Sequence, residues 1–252
     1  MMQIDLNCDC GESFGEWKMG NDSALFPLIS SVNIACGAHA GDPDIMRQTI
    51  RLAQQYDLAI GAHPGYPDLQ GFGRRVIPMT PNQVQNSVLA QIGALYALAR
   101  AEGAELRHVK PHGALYNQAA KDPKLAQAIA QAVAAFDKNL ILVGLAGSAL
   151  IEAGISAGLR VAREAFVDRV YERDGSLRNR NLPDAILRES QQSQAQVLGI
   201  VTNGYAISIE GERVAIKADT FCVHSDTASA VEHIQQLRQA LSVAGIEVKA
   251  LV

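Results

Sequence analysis

Ile4-Asp5-Leu6-Asn7-Cys8-Asp9-Cys10 alternates, residue by residue, between apolar side chains and acidic or amide ones. Successive side chains of a strand point to opposite faces, so Asp5, Asn7 and Asp9 share one face while Ile4, Leu6, Cys8 and Cys10 share the other. His108, Lys110 and His112 repeat the pattern against Val109. A face built from carboxylates and a lysine needs a polar, partly wet interior. The upper layers of a closed β/α barrel supply one, whereas a flat sheet covered by helices on both faces does not.

Outward from that strand, short β-rich runs alternate with longer helical ones. Strands are expected at 3–8, 32–36, 58–62, 107–110, 140–145, 160–167 and 220–224, and helices at 44–56, 81–101, 123–136, 148–157 and 226–244. Thr80-Pro81, Asp122-Pro123 and Asp226 supply helix starts, and Gly103 a helix stop. Glu210-Gly211-Glu212, between two short β-rich runs, reads as a small hairpin inserted near 205–216. The expected fold class is therefore α/β, an irregular seven-stranded β/α barrel. With no linker or break in composition, 1–252 reads as one domain.

Composition narrows the function. A net charge of -4 gives no basic field for nucleic acid or anionic lipid, so neither is expected as a partner. No apolar run is long enough for a membrane span and no signal-peptide pattern is present, which makes a cytoplasmic location the expectation. Cys8, Cys10, Cys36 and Cys222 form no disulfide framework; Cys8 and Cys10 read as packing residues on the apolar face of their strand. The sequence also lacks a Gly-x-x-x-x-Gly-Lys-Ser/Thr phosphate loop, a Gly-x-Ser-x-Gly elbow and a dinucleotide fingerprint.

Ionisable residues gather at the strand ends. Gly37-Ala38-His39-Ala40-Gly41-Asp42-Pro43 and Gly61-Ala62-His63-Pro64-Gly65-Tyr66-Pro67 each place a histidine just past a strand. Asp9 and Glu12 end the first strand, and Lys110-Pro111-His112 the fourth. Asp9, Glu12, His39, His63, Lys110 and His112 are the candidate catalytic residues: carboxylates and imidazoles for proton transfer, lysine as a point charge for an anion. For Glu12 a simple turn-capping role stands beside the catalytic one. Asp9, His39 and His63 also suit a divalent metal, and metal binding and substrate hydrogen bonding both remain open for the two histidines. Gly71-Phe72-Gly73-Arg74-Arg75 brings guanidiniums for carboxylate or phosphate.

Taken together these phrases resemble the LamB/YcsF family, the A subunits of bacterial ATP-dependent 5-oxoprolinases. The residues that carry the resemblance are Ile4-Asp5-Leu6-Asn7 with Gly11-Glu12, Asn33-Ile34-Ala35-Cys36-Gly37 running into His39-Ala40-Gly41-Asp42, and Gly61-Ala62-His63-Pro64 with Gly73-Arg74. It continues through His108 to Asn117, Glu164-Ala165-Phe166-Val167-Asp168-Arg169 and Cys222-Val223-His224, and so spans essentially the whole chain. Ser225 stands where the family's last motif usually has glycine.

The resemblance implies a barrel of the glycoside hydrolase/deacetylase type and opening of the lactam of 5-oxo-L-proline to L-glutamate, coupled to hydrolysis of ATP to ADP and phosphate. It implies partner subunits B and C, which would share the handling of ATP. Asp5, Asn7, Asn33, Arg74, Glu164 and His224 are then the candidate substrate- or phosphate-binding residues. A metal-dependent deacetylase on the same barrel and a non-catalytic subunit that presents substrate are the alternatives.

Overall fold

The computed structural model describes residues 2–223 and 230–251, so His224, Ser225 and Asp226 lie outside the described residues. Seven parallel strands close a barrel: β1 (Met2–Cys10), β2 (Ser31–Ala35), β3 (Ala59–His63), β4 (Leu106–Val109), β5 (Ile141–Leu145), β6 (Arg160–Phe166) and β9 (Thr220–Val223). Asp5 opposite Thr220 and Asn7 opposite Cys222 join β9 back to β1. Outside the barrel β10 (Ile246–Val248) adds to β1 in parallel, while β7 (Tyr205–Ile207) and β8 (Arg213–Ala215) form the expected antiparallel hairpin.

The helices are α1 (Asp22–Leu25), α2 (Pro43–Gln55), α3 (Pro81–Ala101), α4 (Gly113–Ala119), α5 (Pro123–Phe136), α6 (Ala149–Ser156), α7 (Ser190–Asn203) and α8 (Ala230–Val243). The expected start signals hold at two of them. Asp122 accepts from the amides of Lys124 and Leu125, and Thr80 forms a reciprocal capping box with Gln83. Four of these elements are additions to the expected pattern: α1, α4, α7 and β10. Helix α7 is rich in Gln and Ser and buries only Ser193, Val197 and Ile200, so its apolar stripe is too thin to announce a helix. Strand β10 is three residues long and takes its form from pairing with β1.

The two faces of β1 separate as the alternation requires. Ile4, Leu6, Cys8 and Cys10 are buried in the main core between strands and helices, with Ile34, Ala62, Val109 and Leu142 from neighbouring strands. All four cysteines are free and buried. The other face lines the barrel. There β1, β2, β3, β4 and β9, with the residue that follows β4, supply buried Asp5, Asn7, Ser31, Asn33, His63, His108, Lys110 and Thr220. Strands β5 and β6 add mainly apolar side chains, including Ile141, Val143 and Ala162, against which Leu251 packs.

One irregularity shapes the site. Ile60 pairs with Leu106 but Gly61 pairs with His108, so β4 carries one extra residue, Arg107. Without that bulge Gly61 would face Arg107; with it, the His108 ring occupies the space that a side chain on residue 61 would take. Among the described residues no helix is long and apolar enough to cross a membrane.

Candidate active site

The interior polar residues form a connected chain that ends on Lys110 and Asp9. Thr220 donates to Asp5, which also accepts from the hydroxyls of Ser30 (2.7 Å) and Ser31 (2.6 Å). Asn7 donates to Thr220 at 2.7 Å and to Glu164 at 3.1 Å, and its carbonyl oxygen accepts from Asn33 at 2.7 Å. Asn33 also donates to Asp9 at 2.9 Å, and its own oxygen lies 2.8 Å from His108 Nε2, which therefore carries the proton. Burial, reinforced by Lys110, pushes His108 down to about 3, so its ring is neutral.

The Lys110 ammonium lies at the centre of this network. It is 2.9 Å from Asp9 Oδ1, 2.8 Å from Glu164 Oε1, 3.2 Å from Asn7 Oδ1 and 3.2 Å from Cys222 Sγ, with the Phe166 ring centre 5.8 Å away. Burial alone would lower its pKa, but Asp9 and Glu164 hold it well above the ordinary lysine value. Burial likewise opposes ionisation of Asp9, and the neighbouring His63 and Lys110 overcome it, holding that carboxyl well below its usual range. A permanent buried cation thus faces the barrel mouth with two carboxylates around it.

Beside Lys110 lies a second cluster, formed where β1, β2, β3 and β4 run out. Glu12, His39, His63 and His112 each offer a ligand atom, and these atoms all lie within 4.8 Å of one another. His63 Nε2 is 3.0 Å from His112 Nδ1 and 3.3 Å from Asp9 Oδ2; Glu12 Oε1 is 3.5 Å from both His39 Nε2 and His112 Nδ1. The His39 and His112 rings stack at 3.8 Å with 4° between their planes. Charge repulsion disfavours such a stack between two cations. Burial pushes His39 and His112 well below the ordinary histidine value, and it raises Glu12 despite the neighbouring His112.

The loop after β3 covers this cluster. Phe72 stands edge-on to both His39 and His112 and accepts a 2.9 Å hydrogen bond from His112 Nε2 at its carbonyl. Gly73 adopts φ +62°, and a Cβ there would come within 2.8 Å of both His39 and His112, so only glycine lets the loop close this far. Arg74 places its guanidinium 4.9 Å over the Phe72 ring, at the mouth, whereas Arg75 is tied to Asp68.

Of the residues singled out in the sequence, Asp9, Glu12, His39, His63, Lys110 and His112 meet at one rim, with Arg74 beside it. Asn7, Asn33 and Glu164 lie directly beneath, and Asp5 one layer deeper. His224 lies outside the described residues. Of Asp9, His39 and His63, the metal candidates in the sequence, His39 and His63 group with Glu12 and His112, while Asp9 turns Oδ1 to Lys110 and Asn33 and Oδ2 to His63 at 3.3 Å. In the sequence His108 is only a face marker, and its link to Asn33 depends on the β3–β4 bulge, which no local pattern signals. Nothing in the sequence singles out Tyr116, which is buried on α4, edge-on to Phe166 at 6.1 Å.

Residues 4–252 match the LamB/YcsF family. A Chloroflexus aggregans protein that bears the name of the 5-oxoprolinase A subunit is 57% identical over 99% of both chains. One of the same name from Tolumonas auensis is 53% identical over the full length of both. The crystal structure of a lactam utilization protein from Thermus thermophilus superposes with a TM-score of 0.94 at 46% identity, over 99% of this chain and 100% of that one. Near-complete coverage by family, relatives and fold leads to one assignment: the chain belongs to the LamB/YcsF family.

Proposed function

We propose that this chain is the lactam-opening subunit of an ATP-dependent 5-oxoprolinase. It converts 5-oxo-L-proline to L-glutamate with hydrolysis of ATP to ADP and phosphate, as one barrel domain in a cytoplasmic complex with subunits B and C. The observation that carries this reading is the convergence of two carboxylates, three imidazoles and a buried ammonium on one barrel mouth. That set occurs in a chain matching, end to end, relatives named for the reaction.

The chemistry explains why such a set is needed. The lactam is an unstrained amide and a poor electrophile. Transfer of the γ-phosphoryl group of ATP to its oxygen activates the ring carbon; a first water attacks that carbon and the C–N bond breaks, leaving an acyl phosphate, which a second water hydrolyses to the carboxylate and phosphate. Two waters are consumed per turnover, one at the ring carbon and one at the acyl phosphate, and a proton goes to the ring nitrogen. Lys110 and Arg74 stabilise the anionic phosphoryl and tetrahedral species, while Asp9 or Glu12, with His39, His63 or His112, takes the proton from water and delivers one to nitrogen. Asn7, Asn33 and Glu164 hold Lys110 and Asp9 in place beneath the substrate, and Asp5 anchors that layer. In this reading much of the ATP handling falls to the partner subunits.

The test is 5-oxoproline-dependent glutamate formation in the complex reconstituted with and without this chain. Omission is expected to abolish glutamate formation, even where some ATP cleavage persists. Undiminished glutamate formation without the chain would overturn the proposal, and the full rate from this chain alone would overturn the sharing of the reaction with partners.

A further inference from the structure

We propose that Glu12, His39, His63 and His112 form a binding site for one divalent transition ion of the zinc class, with Asp9 outside the ligand set. The argument begins with where the protons can be. His63 Nδ1 is 2.7 Å from the carbonyl oxygen of Lys110, and His112 Nε2 is 2.9 Å from that of Phe72. A carbonyl only accepts, so each of those nitrogens carries hydrogen. A ring with one hydrogen placed there presents a lone pair at its other nitrogen, and His63 Nε2 and His112 Nδ1 face one another at 3.0 Å. Glu12 Oε1, a third acceptor, stands 3.5 Å from His112 Nδ1.

Acceptors crowded in this way repel unless a cation lies among them. His39 sharpens the point: it is 1% exposed, and among the described residues neither of its ring nitrogens has a hydrogen-bond partner, nor has Glu12 Oε1. Buried polar atoms without partners are rare and call for an explanation, and a bound ion is one that serves all of these atoms at once. A proton on His63 Nε2, shared with Asp9, relieves one contact but leaves His39 and Glu12 unserved.

The spacings fit an ion. Zinc bonds of about 2.0–2.2 Å to imidazole nitrogen and carboxylate oxygen place ligand atoms of a tetrahedron roughly 3.3–3.5 Å apart. The observed separations are 3.0 Å for His63 to His112 and 3.5 Å for Glu12 to both His39 and His112, with all four ligand atoms within 4.8 Å of one another, so an ion would draw in the wider pairs and tilt His39 off its stack with His112. Three imidazoles with one carboxylate suit zinc, cobaltous or manganous ions, and disfavour calcium and magnesium, which prefer all-oxygen shells. The backbone carbonyls of Lys110 and Phe72 fix the two tautomers from behind, as outer partners of metal-bound histidines do. Asp9 is placed outside the ligand set because Lys110 and Asn33 hold its Oδ1, and its Oδ2, 3.3 Å from His63 Nε2, serves as a neighbour of that ligand. The site stands whether or not the lactam-opening reading is correct.

The experiment is metal binding to the purified full-length chain after chelation, with zinc and cobalt as probes and magnesium as comparison. One equivalent of zinc retained through gel filtration, and cobalt giving the visible bands of a four- or five-coordinate site with imidazole, are expected. Glu12→Gln and His112→Ala should each weaken zinc binding by more than about a hundredfold, and Asp9→Asn, which removes a neighbour of His63 rather than a ligand, by a clearly smaller factor, about tenfold. Circular dichroism confirms that each variant folds. Glu12 lies in an irregular segment after β1, so its isosteric change keeps the test usable if His112→Ala does not fold. No stoichiometric zinc, equal binding of magnesium, or affinity lost with Asp9→Asn but kept with Glu12→Gln would overturn the assignment. Because the readout is binding, its failure is distinct from failure of the glutamate assay.

Discussion

At the residue scale, Lys110 and Asp22 show burial acting in opposite directions. Lys110 is buried with two carboxylates, and removing its charge leaves Asp9 and Glu164 facing each other across the vacated space. Lys110→Met is therefore expected to lower unfolding free energy by about 3–5 kcal/mol, the range for breaking a buried ion pair from one side, and to abolish glutamate formation in the complex. Urea unfolding and the reconstituted assay measure the two effects. Asp22 is half-buried without a cation: it accepts the Gly11 amide at 2.9 Å, yet desolvation raises its carboxyl to about 6. In the unfolded chain it titrates near about 4, so the folded state holds a proton that the unfolded state has released between those values. Stability contributed by this group thus falls as pH rises from about 4 to about 6 and stays reduced above. Asp22→Asn keeps an oxygen for Gly11 and should raise the urea midpoint near neutral pH, the gain shrinking as the solution is acidified towards the ordinary carboxylate range.

At the element scale, the loop between β3 and α3 decides whether the histidines meet. Gly73 at φ +62° brings Phe72 onto His39 and His112, and Ala114 donates to the Gly73 carbonyl at 2.9 Å, tying the loop to the start of α4. Gly73→Ala strains the backbone by about 1–2 kcal/mol and thrusts a methyl group against both rings. The expected outcome is a folded protein whose turnover in the complex is reduced by about tenfold or more, as a small misplacement of reacting groups entails. An unchanged rate would show that the loop position is immaterial to the reaction.

At the scale of the whole molecule, the barrel is sealed by the last residues of the chain. Ile246 is 3% exposed where β10 pairs with β1, and Leu251 packs on Ile141, Val143 and Ala162 inside the barrel. The residues that line the mouth at the opposite end stand on a closed ring of strands, and β1 is the strand that carries Asp9 and leads into Glu12. Loss of packing behind β1 is thus a stability effect that reaches the site through its scaffold. Ile246→Ala should cost about 2–5 kcal/mol and lower the melting temperature, with the activity of the remaining folded protein retained.

The sequence by itself determined the barrel and the rim. Strict alternation in Ile4 to Cys10 is a local property of a strand half buried in apolar packing and half in a polar lumen, and the paired Gly-Ala-His phrases mark strand ends directly. It did not determine which rim residues touch. That Glu12 and His112 complete a cluster with His39 and His63, and that Asp9 is drawn instead to Lys110, follows from the curvature of a closed sheet and from the extra residue in β4. Both are sums over long-range pairings that no short window of sequence contains. Helix α7 and strand β10 are hidden from the sequence for a related reason: their stability comes from the surfaces they cover rather than from their own periodicity.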